Sequence, residues 1–212
     1  MFENVNFAIE RGERVCLLGR NGAGKSTVLK LLDGELSPAD GEVIRQTGVT
    51  VTRLEHVKRV DLVLDAMARV RSGVTLVIAG DGSARRELEI HARHLEIDNR
   101  VTFLGRVDDD RLIELYSRCR GVVFVPYQED YGYVTLEAFL SEKPVVTATD
   151  SGGTLEFVVD GENGYVCAPD AEAIGAAVSR LAGDPQLTAR LGHAGLLRAR
   201  MVTWDGVVEQ LL

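Results

Sequence analysis

The sequence predicts an α/β fold, a parallel sheet of about six or seven strands sandwiched by helices and preceded by a strand, loop and helix with a short antiparallel hairpin. Two observations carry this. From residue 55 onward short apolar runs alternate with segments of helical spacing, and those runs are apolar on both faces, as strands of a sheet covered on both sides must be. Before that point, an apolar run ends in a glycine-rich loop that opens a helix.

At the start, Val5–Ile9 alternates like a strand, Arg11-Gly12-Glu13 turns, and Arg14–Leu18 reads as a buried strand. Val28, Leu29, Leu31 and Leu32 give Lys25–Asp33 a helical spacing closed by Gly34, and a loop at Ser37–Gly41 leads to a strand pair, Glu42–Gln46 and Val49–Leu54. The regular part then runs helix Lys58–Val70, strand Thr75–Ala79, helix Ala84–Leu95, strand Val101–Leu104, helix Asp109–Cys119, strand Gly121–Pro126, helix Val134–Ser141 and strand Pro144–Ala148. Helices Ala171–Ala182 and Pro185–Met201 follow, with Trp204–Leu212 as a last helix. The change of texture near residues 47–58 is the one candidate boundary, dividing a segment 1–47 from a domain 48–212 within what reads as one continuous globular unit.

With 45% apolar residues, the 212-residue chain can bury a full core, and its net charge of −8 argues against nucleic acid as a partner, because phosphate-backbone binding needs a basic surface. No apolar run approaches the roughly 20 residues that cross a bilayer, and the N-terminus lacks the layout of a signal peptide, so the expected location is cytoplasmic. Cys16, Cys119 and Cys167 lie far apart and read as small core residues. His91, His94 and His193 read as solvated, without the spacing of metal ligands.

Gly19-Arg20-Asn21-Gly22-Ala23-Gly24-Lys25-Ser26 fits the phosphate-loop pattern G-x-x-x-x-G-K-[ST] in full, between a buried strand and a helix. Gly19, Gly22 and Gly24 let backbone N–H groups, including that of Asn21, turn toward phosphate oxygens. Lys25 supplies charge, Ser26 a hydroxyl for Mg²⁺, and the helix start at Ser26 and Thr27 unpaired N–H groups. ATP with Mg²⁺ is the ligand this loop suits. Together with Gly12–Val15, Leu31–Glu35 and Asp40–Val43, it resembles the opening of an ABC-type ATPase, of the soluble subfamily, over residues ~1–55. His56 stands where that family has its Mg²⁺-holding glutamine, and neither an L-S-G-G signature nor a strand ending Asp-Glu follows. Phosphoryl transfer needs such groups together. The expectation is ATP binding at most.

Residues 48–212 carry a second set of features in register: Arg53–Lys58, Ile78–Gly82, Val101–Gly105, Glu129 with Glu137, Ser151-Gly152-Gly153 before Glu156, and Asp160–Gly164. They resemble the C-terminal, Rossmann-like domain of GT-B retaining glycosyltransferases of family 4. Arg53 and Lys58 flank the first strand-to-helix turn, at the edge of the sheet where open α/β folds bind ligands, and two cations there would grip a diphosphate. The resemblance implies that they neutralise the departing nucleoside diphosphate without a metal. Glu129 and Glu137 form E-x₇-E around Gly132, with Glu137 expected in the first turn of its helix. The resemblance gives Glu137 the ribose diol and Glu129 the donor sugar, making Arg53, Lys58 and Glu129 the catalytic candidates. Gly80 and Gly82 would turn beside the nucleotide, and the loop Gly105-Arg106-Val107 would read the base through its backbone. UDP-, GDP- and ADP-sugars all stay open as donors.

In GT-B enzymes a second, N-terminal Rossmann-like domain holds the acceptor, and the ATPase-like segment stands in its place. Thr52–Glu55 suits both family patterns, as a recombination point would, so the chain reads as an engineered or recombined chimera. Three functions compete: nucleotide or nucleotide-sugar binding with weak or no transfer, which is favoured; an active glycosyltransferase completed by a partner domain; and a P-loop ATP binder or weak ATPase. An apolar surface left near Trp204–Leu212 makes a homodimer a further expected partner state.

Overall fold

Six parallel strands stand in the order β3-β2-β1-β4-β5-β6 in the computed structural model, which describes residues 46–70 and 73–202. The chain runs β1 (Gln46–Val51), α1 (Val60–Arg69), β2 (Val74–Ala79), α2 (Arg85–His94), β3 (Val101–Gly105), α3 (Asp109–Arg118), β4 (Gly121–Val123), α4 (Tyr133–Leu140), β5 (Val145–Ala148), β6 (Gly164–Cys167), α5 (Ala171–Gly183) and α6 (Pro185–Arg200). The first three strands build outward in one direction. After β3 the chain crosses back to lay β4 on the other side of β1 and then builds β5 and β6 away from it. The direction of winding therefore reverses between β1 and β4, the place where open α/β sheets form a ligand crevice outside their carboxyl ends.

Alternation of side chains along the strands sorts the core onto two faces. Leu76, Ile78, Val123 and Val146 point to a cluster with α1, α2 and α5, through residues such as Leu64, Leu88 and Ile174. Val122 and Val145 point to the other face, where Tyr116 of α3 and Ala138 and Phe139 of α4 pack. Helix α6 joins both, with Leu191 in the first cluster and Ala199 in the second. Its Gly195 lies against the Phe139 ring so closely that an added Cβ would stand 2.4 Å from Cδ1. Helix starts follow capping chemistry: Asp108, Asp170 and Asp184 each accept a backbone N–H three residues on, and Pro185 occupies the first turn of α6.

The parallel, helix-covered sheet is the predicted fold class, while several expected boundaries shift. The first described strand is Gln46–Val51, and Thr52–Leu54, expected inside a strand, has left the sheet. The helix expected from Lys58 is interrupted: a 3-10 turn spans His56–Lys58, Arg59 is left-handed at φ 51°, and α1 begins only at Val60. Strand β4 is three residues, and Phe124–Pro126 continues past it as an extended segment. Strand β6, unanticipated, pairs with β5 from Val145–Gly164 to Ala148–Cys167. The phosphate loop and the hairpin expected around it lie outside the described residues, as do Cys16 and Trp204–Leu212, where a homodimer surface was expected. Cys119 is buried in the second cluster and Cys167 half-buried against the first. Among the described residues, no helix is long and apolar enough to cross a membrane.

The exits of β1 and β2 are zipped together by backbone bonds, from Thr52 N–H to the Ala79 carbonyl (3.1 Å) and from Leu54 N–H to that of Asp81 (3.0 Å). Gly80 permits this approach: it sits at φ 143°, and a Cβ there would lie 1.8 Å from the Thr52 carbonyl oxygen. Gly80→Ala must both strain its own backbone and separate the two loops, and is expected to destabilise the protein by about 2–3 kcal/mol in urea unfolding. An unchanged midpoint would show that the seam is soft.

Candidate functional site

Three loops leave the carboxyl ends of β1, β4 and β5 and meet over the crevice. The β1 loop is held to the β4 loop by Tyr127 N–H donating to the Val57 carbonyl at 2.8 Å. The β4 loop is held to the β5 loop by Gln128 N–H donating to the Asp150 carbonyl (3.0 Å) and Gly153 N–H donating to that of Glu129 (2.7 Å). Glu129 thus sits on a short backbone ladder whose far side is Gly152-Gly153.

Lys58 and Glu129 face each other across this crevice and form an ion pair from Nζ to Oε2, with 12% and 18% of their side chains exposed. Pairing explains how two charges stand this far from solvent. It also brings together two of the three residues expected to be catalytic, from positions 71 apart in sequence. The third, Arg53, is exposed at the β1 exit, and its charge is a lesser cause of the lowering of the Glu55 carboxyl, after hydrogen bonds from Ser83. Among the described residues no His, Cys, Asp and Glu group could hold a metal ion.

Arg59, next to Lys58, is the anchor of the assembly. Its Nε donates to the Val125 carbonyl (2.8 Å) and Nη2 to that of Pro126 (2.9 Å), while Nη1 and Nη2 form a fork on the Asp150 carboxylate at 2.8 and 2.6 Å. One side chain from the β1 loop therefore ties down the β4 and β5 loops at once, with the geometry a guanidinium is built for. The hydrogen bonds from Arg59, the larger cause, and its charge hold the Asp150 carboxyl below its ordinary range. Neither residue was singled out from sequence. Two adjacent cations, Lys58-Arg59, were the available signal, obscured by reading both as the start of a helix.

Glu137 is exposed on α4 and accepts a hydrogen bond at Oε2 from the Tyr116 hydroxyl at 2.8 Å. It is the fifth residue of the helix and not in its first turn, because the left-handed Gly132 (φ 79°) lets α4 begin directly at Tyr133. That position removes the reading of Glu137 as a capping or dipole-stabilising carboxylate, whose effect is confined to the first turn. A side chain at residue 132 would collide with the Thr154 hydroxyl, 2.8 Å from the Cβ position. Gly80 and Gly82 are accounted for by loop packing, with Gly82 against the Leu54 carbonyl as Gly80 is against Thr52. Val107 is half-buried beyond the exit of β3, two strands from β1. His91, expected to be solvated, instead meets Asp65 at 2.7 Å, while His94 and His193 are exposed.

Comparison with known proteins shows the family and the fold. Residues 45–198 match the family described as glycosyl transferases group 1. The chain is 30% identical over 168 residues to the alpha-1,3/1,6-mannosyltransferase ALG2 of Homo sapiens, covering 72% of this chain and 40% of that protein. It is 35% identical over 152 residues to a glycogen synthase of Mycobacterium tuberculosis, covering 70% and 36%. It therefore spans less than half the length of these relatives. Among solved structures, HepE of Anabaena in complex with UDP and glucose superposes with a TM-score of 0.72 at 28% identity, over 79% of this chain and 48% of that one. The family match falls on the sheet-bearing part of the chain, and the comparisons give no support for an ATPase-like phosphate-loop segment or a chimeric origin.

Truncating Arg59 removes the side-chain tie from the β1 loop to the β4 and β5 loops. Arg59→Ala is expected to cost about 2–4 kcal/mol in chemical denaturation, since charge-assisted bonds are worth about 1.5–3 kcal/mol each and not all are lost independently. Arg59→Gly should cost less than Arg59→Ala, because glycine removes the left-handed backbone penalty. For Asp150 the folded pKa is depressed, so its contribution is complete above the unfolded carboxyl value of about 3.9 and disappears as pH falls through the lower folded value. The stability gap between wild type and Asp150→Asn should accordingly be constant from about pH 7 to 5 and shrink below about pH 4. A gap that widened on acidification would contradict the assignment.

Proposed function

The chain belongs to the group 1 glycosyltransferases, and from that premise we propose that residues 48–212 bind a nucleoside diphosphate sugar in the crevice between β1 and β4. The observation that carries this is the Lys58–Glu129 pair, a cation and a carboxylate held at the reversal point of the sheet. In this reading the donor's diphosphate takes over Lys58, with exposed Arg53 as a second cation from the same loop. Glu129, released from Lys58 or shared with it, faces the sugar. Glu137 accepts hydrogen bonds from the ribose hydroxyls, and Gly105-Arg106-Val107 offers backbone groups to the base. Binding of UDP by HepE supports a nucleotide of this kind.

Charge builds on the leaving diphosphate when the bond between the sugar's anomeric carbon and the phosphate oxygen breaks, the electron pair staying on that oxygen, and cations already fixed beside it stabilise that charge without reorganising. Lys58 is fixed in that sense, since the backbone next to it is locked by Arg59. Sugar transfer also requires an acceptor site. Whether the chain transfers with a partner domain or only binds its donor is the division between an active enzyme and a nucleotide-sugar-binding protein, and binding is the reading favoured for this chain. The N-terminal loop Gly19–Ser26 keeps its sequence case for ATP and Mg²⁺.

Thermal unfolding with UDP, GDP, ADP and Mg·ATP tests these readings, because a ligand at 100 times its Kd stabilises by about 2.7 kcal/mol. A shift with UDP, GDP or ADP that is lost in Lys58→Ala and reduced in Glu137→Ala is the expected result. A shift with Mg·ATP alone, abolished by Lys25→Ala and untouched by Lys58→Ala, would move nucleotide recognition to the phosphate loop.

A further inference from the structure

Tyr116 combines two properties that rarely coincide in a packing residue. Its ring is 2% exposed among the apolar side chains between the sheet and helices α3 and α4, and its hydroxyl reaches out of that cluster to Glu137 Oε2. A phenol buried this far needs a partner for its O–H, and a carboxylate on the neighbouring helix supplies one. The converse dependence matters more for function. Glu137 is exposed, and a glutamate there with no fixed partner would sample several rotamers. One bond from a side chain that cannot itself move selects a single orientation of the carboxylate. Burial, and next the neighbouring Glu137 charge, push the phenol's ionisation far above its ordinary range, so it stays a donor.

We infer that Tyr116 is a positioning residue for nucleotide recognition: by holding Oε2 of Glu137, it presents the remaining carboxylate oxygen to a pair of vicinal hydroxyls. This rests on the reading of Glu137 as the ribose acceptor. A carboxylate has lone pairs for about four hydrogen bonds, so the phenol leaves room for two hydroxyls. Because the ring is anchored in the core and only its oxygen contacts the acid, removing that oxygen separates positioning from packing.

The test uses the full chain and whichever of UDP, GDP and ADP binds wild type most tightly, together with its 2′,3′-dideoxy counterpart, in isothermal titration of wild type, Tyr116→Phe and Glu137→Gln. Wild type is expected to prefer the ribonucleotide about ten-fold, a difference of about 1.4 kcal/mol. Tyr116→Phe should lose most of that preference by weakening the ribonucleotide alone, with dideoxynucleotide affinity and melting temperature close to wild type. An equal loss for both nucleotides marks a packing role and overturns the inference. So does a full preference in Tyr116→Phe when Glu137→Gln has lost it, which would leave the ribose reading intact. A preference that survives in Glu137→Gln overturns the ribose reading and the positioning role together, as does failure of all three nucleotides to bind.

Discussion

The guanidinium of Arg59 is the interaction on which the carboxyl edge of the sheet depends. Strands β1, β4 and β5 are adjacent, but the loops leaving β1 and β4 come from distant parts of the sequence, because the chain reverses its winding between those strands. Nothing in the parallel ladder holds those loops at fixed spacing. Arg59 does so with four hydrogen bonds to two carbonyls and one carboxylate, each from a different point along the β4 and β5 exits. Its left-handed backbone, a conformation that costs a non-glycine residue about 1–3 kcal/mol, persists because those bonds over-determine it.

Lys58 inherits its position from this arrangement. It ends the 3-10 turn that Arg59 terminates, so its side chain emerges over the crevice and cannot continue along a helix face. Glu129 is placed by independent means, the backbone contacts to Gly152 and Gly153. The two sides of the pair thus come from separate supports, joined by the hydrogen bonds of Arg59 to Val125, Pro126 and Asp150 and by the Val57–Tyr127 bond. Such preorganisation is what electrostatic stabilisation of a leaving group requires.

Much of this was legible in the sequence because the relevant signals are periodic or punctuated. Strands such as Val74–Ala79 and Val145–Ala148 are apolar runs broken only by a threonine each, and the helices between them repeat at helical spacing. Lys58, Glu129 and Glu137 stood out through spacing that matches a known pattern. What escaped was structure created by tertiary context. Gly164–Cys167 is a four-residue edge strand that opens with glycine, and only its pairing with β5 makes it one. Arg59 looked like helix because its neighbours are helix formers, while its conformation is decided by Asp150, 91 residues away. Tyr116 carries no signal of its own within the helix expected over Asp109–Cys119, and its hydroxyl's partner lies on another helix.

Within a few residues of the Lys58–Glu129 pair along the chain stand exposed apolar side chains: Val57 is 54% exposed, Tyr127 50% and Tyr133 70%. Anything that covers those side chains lowers the local dielectric, and in such a medium an unmatched charge is penalised while a matched one is rewarded. Lys58 would then choose more sharply between Glu129 and an arriving anion than it does in the open crevice. Capping the rim and filling the crevice become coupled equilibria, with selectivity for charge set by how dry the mouth is.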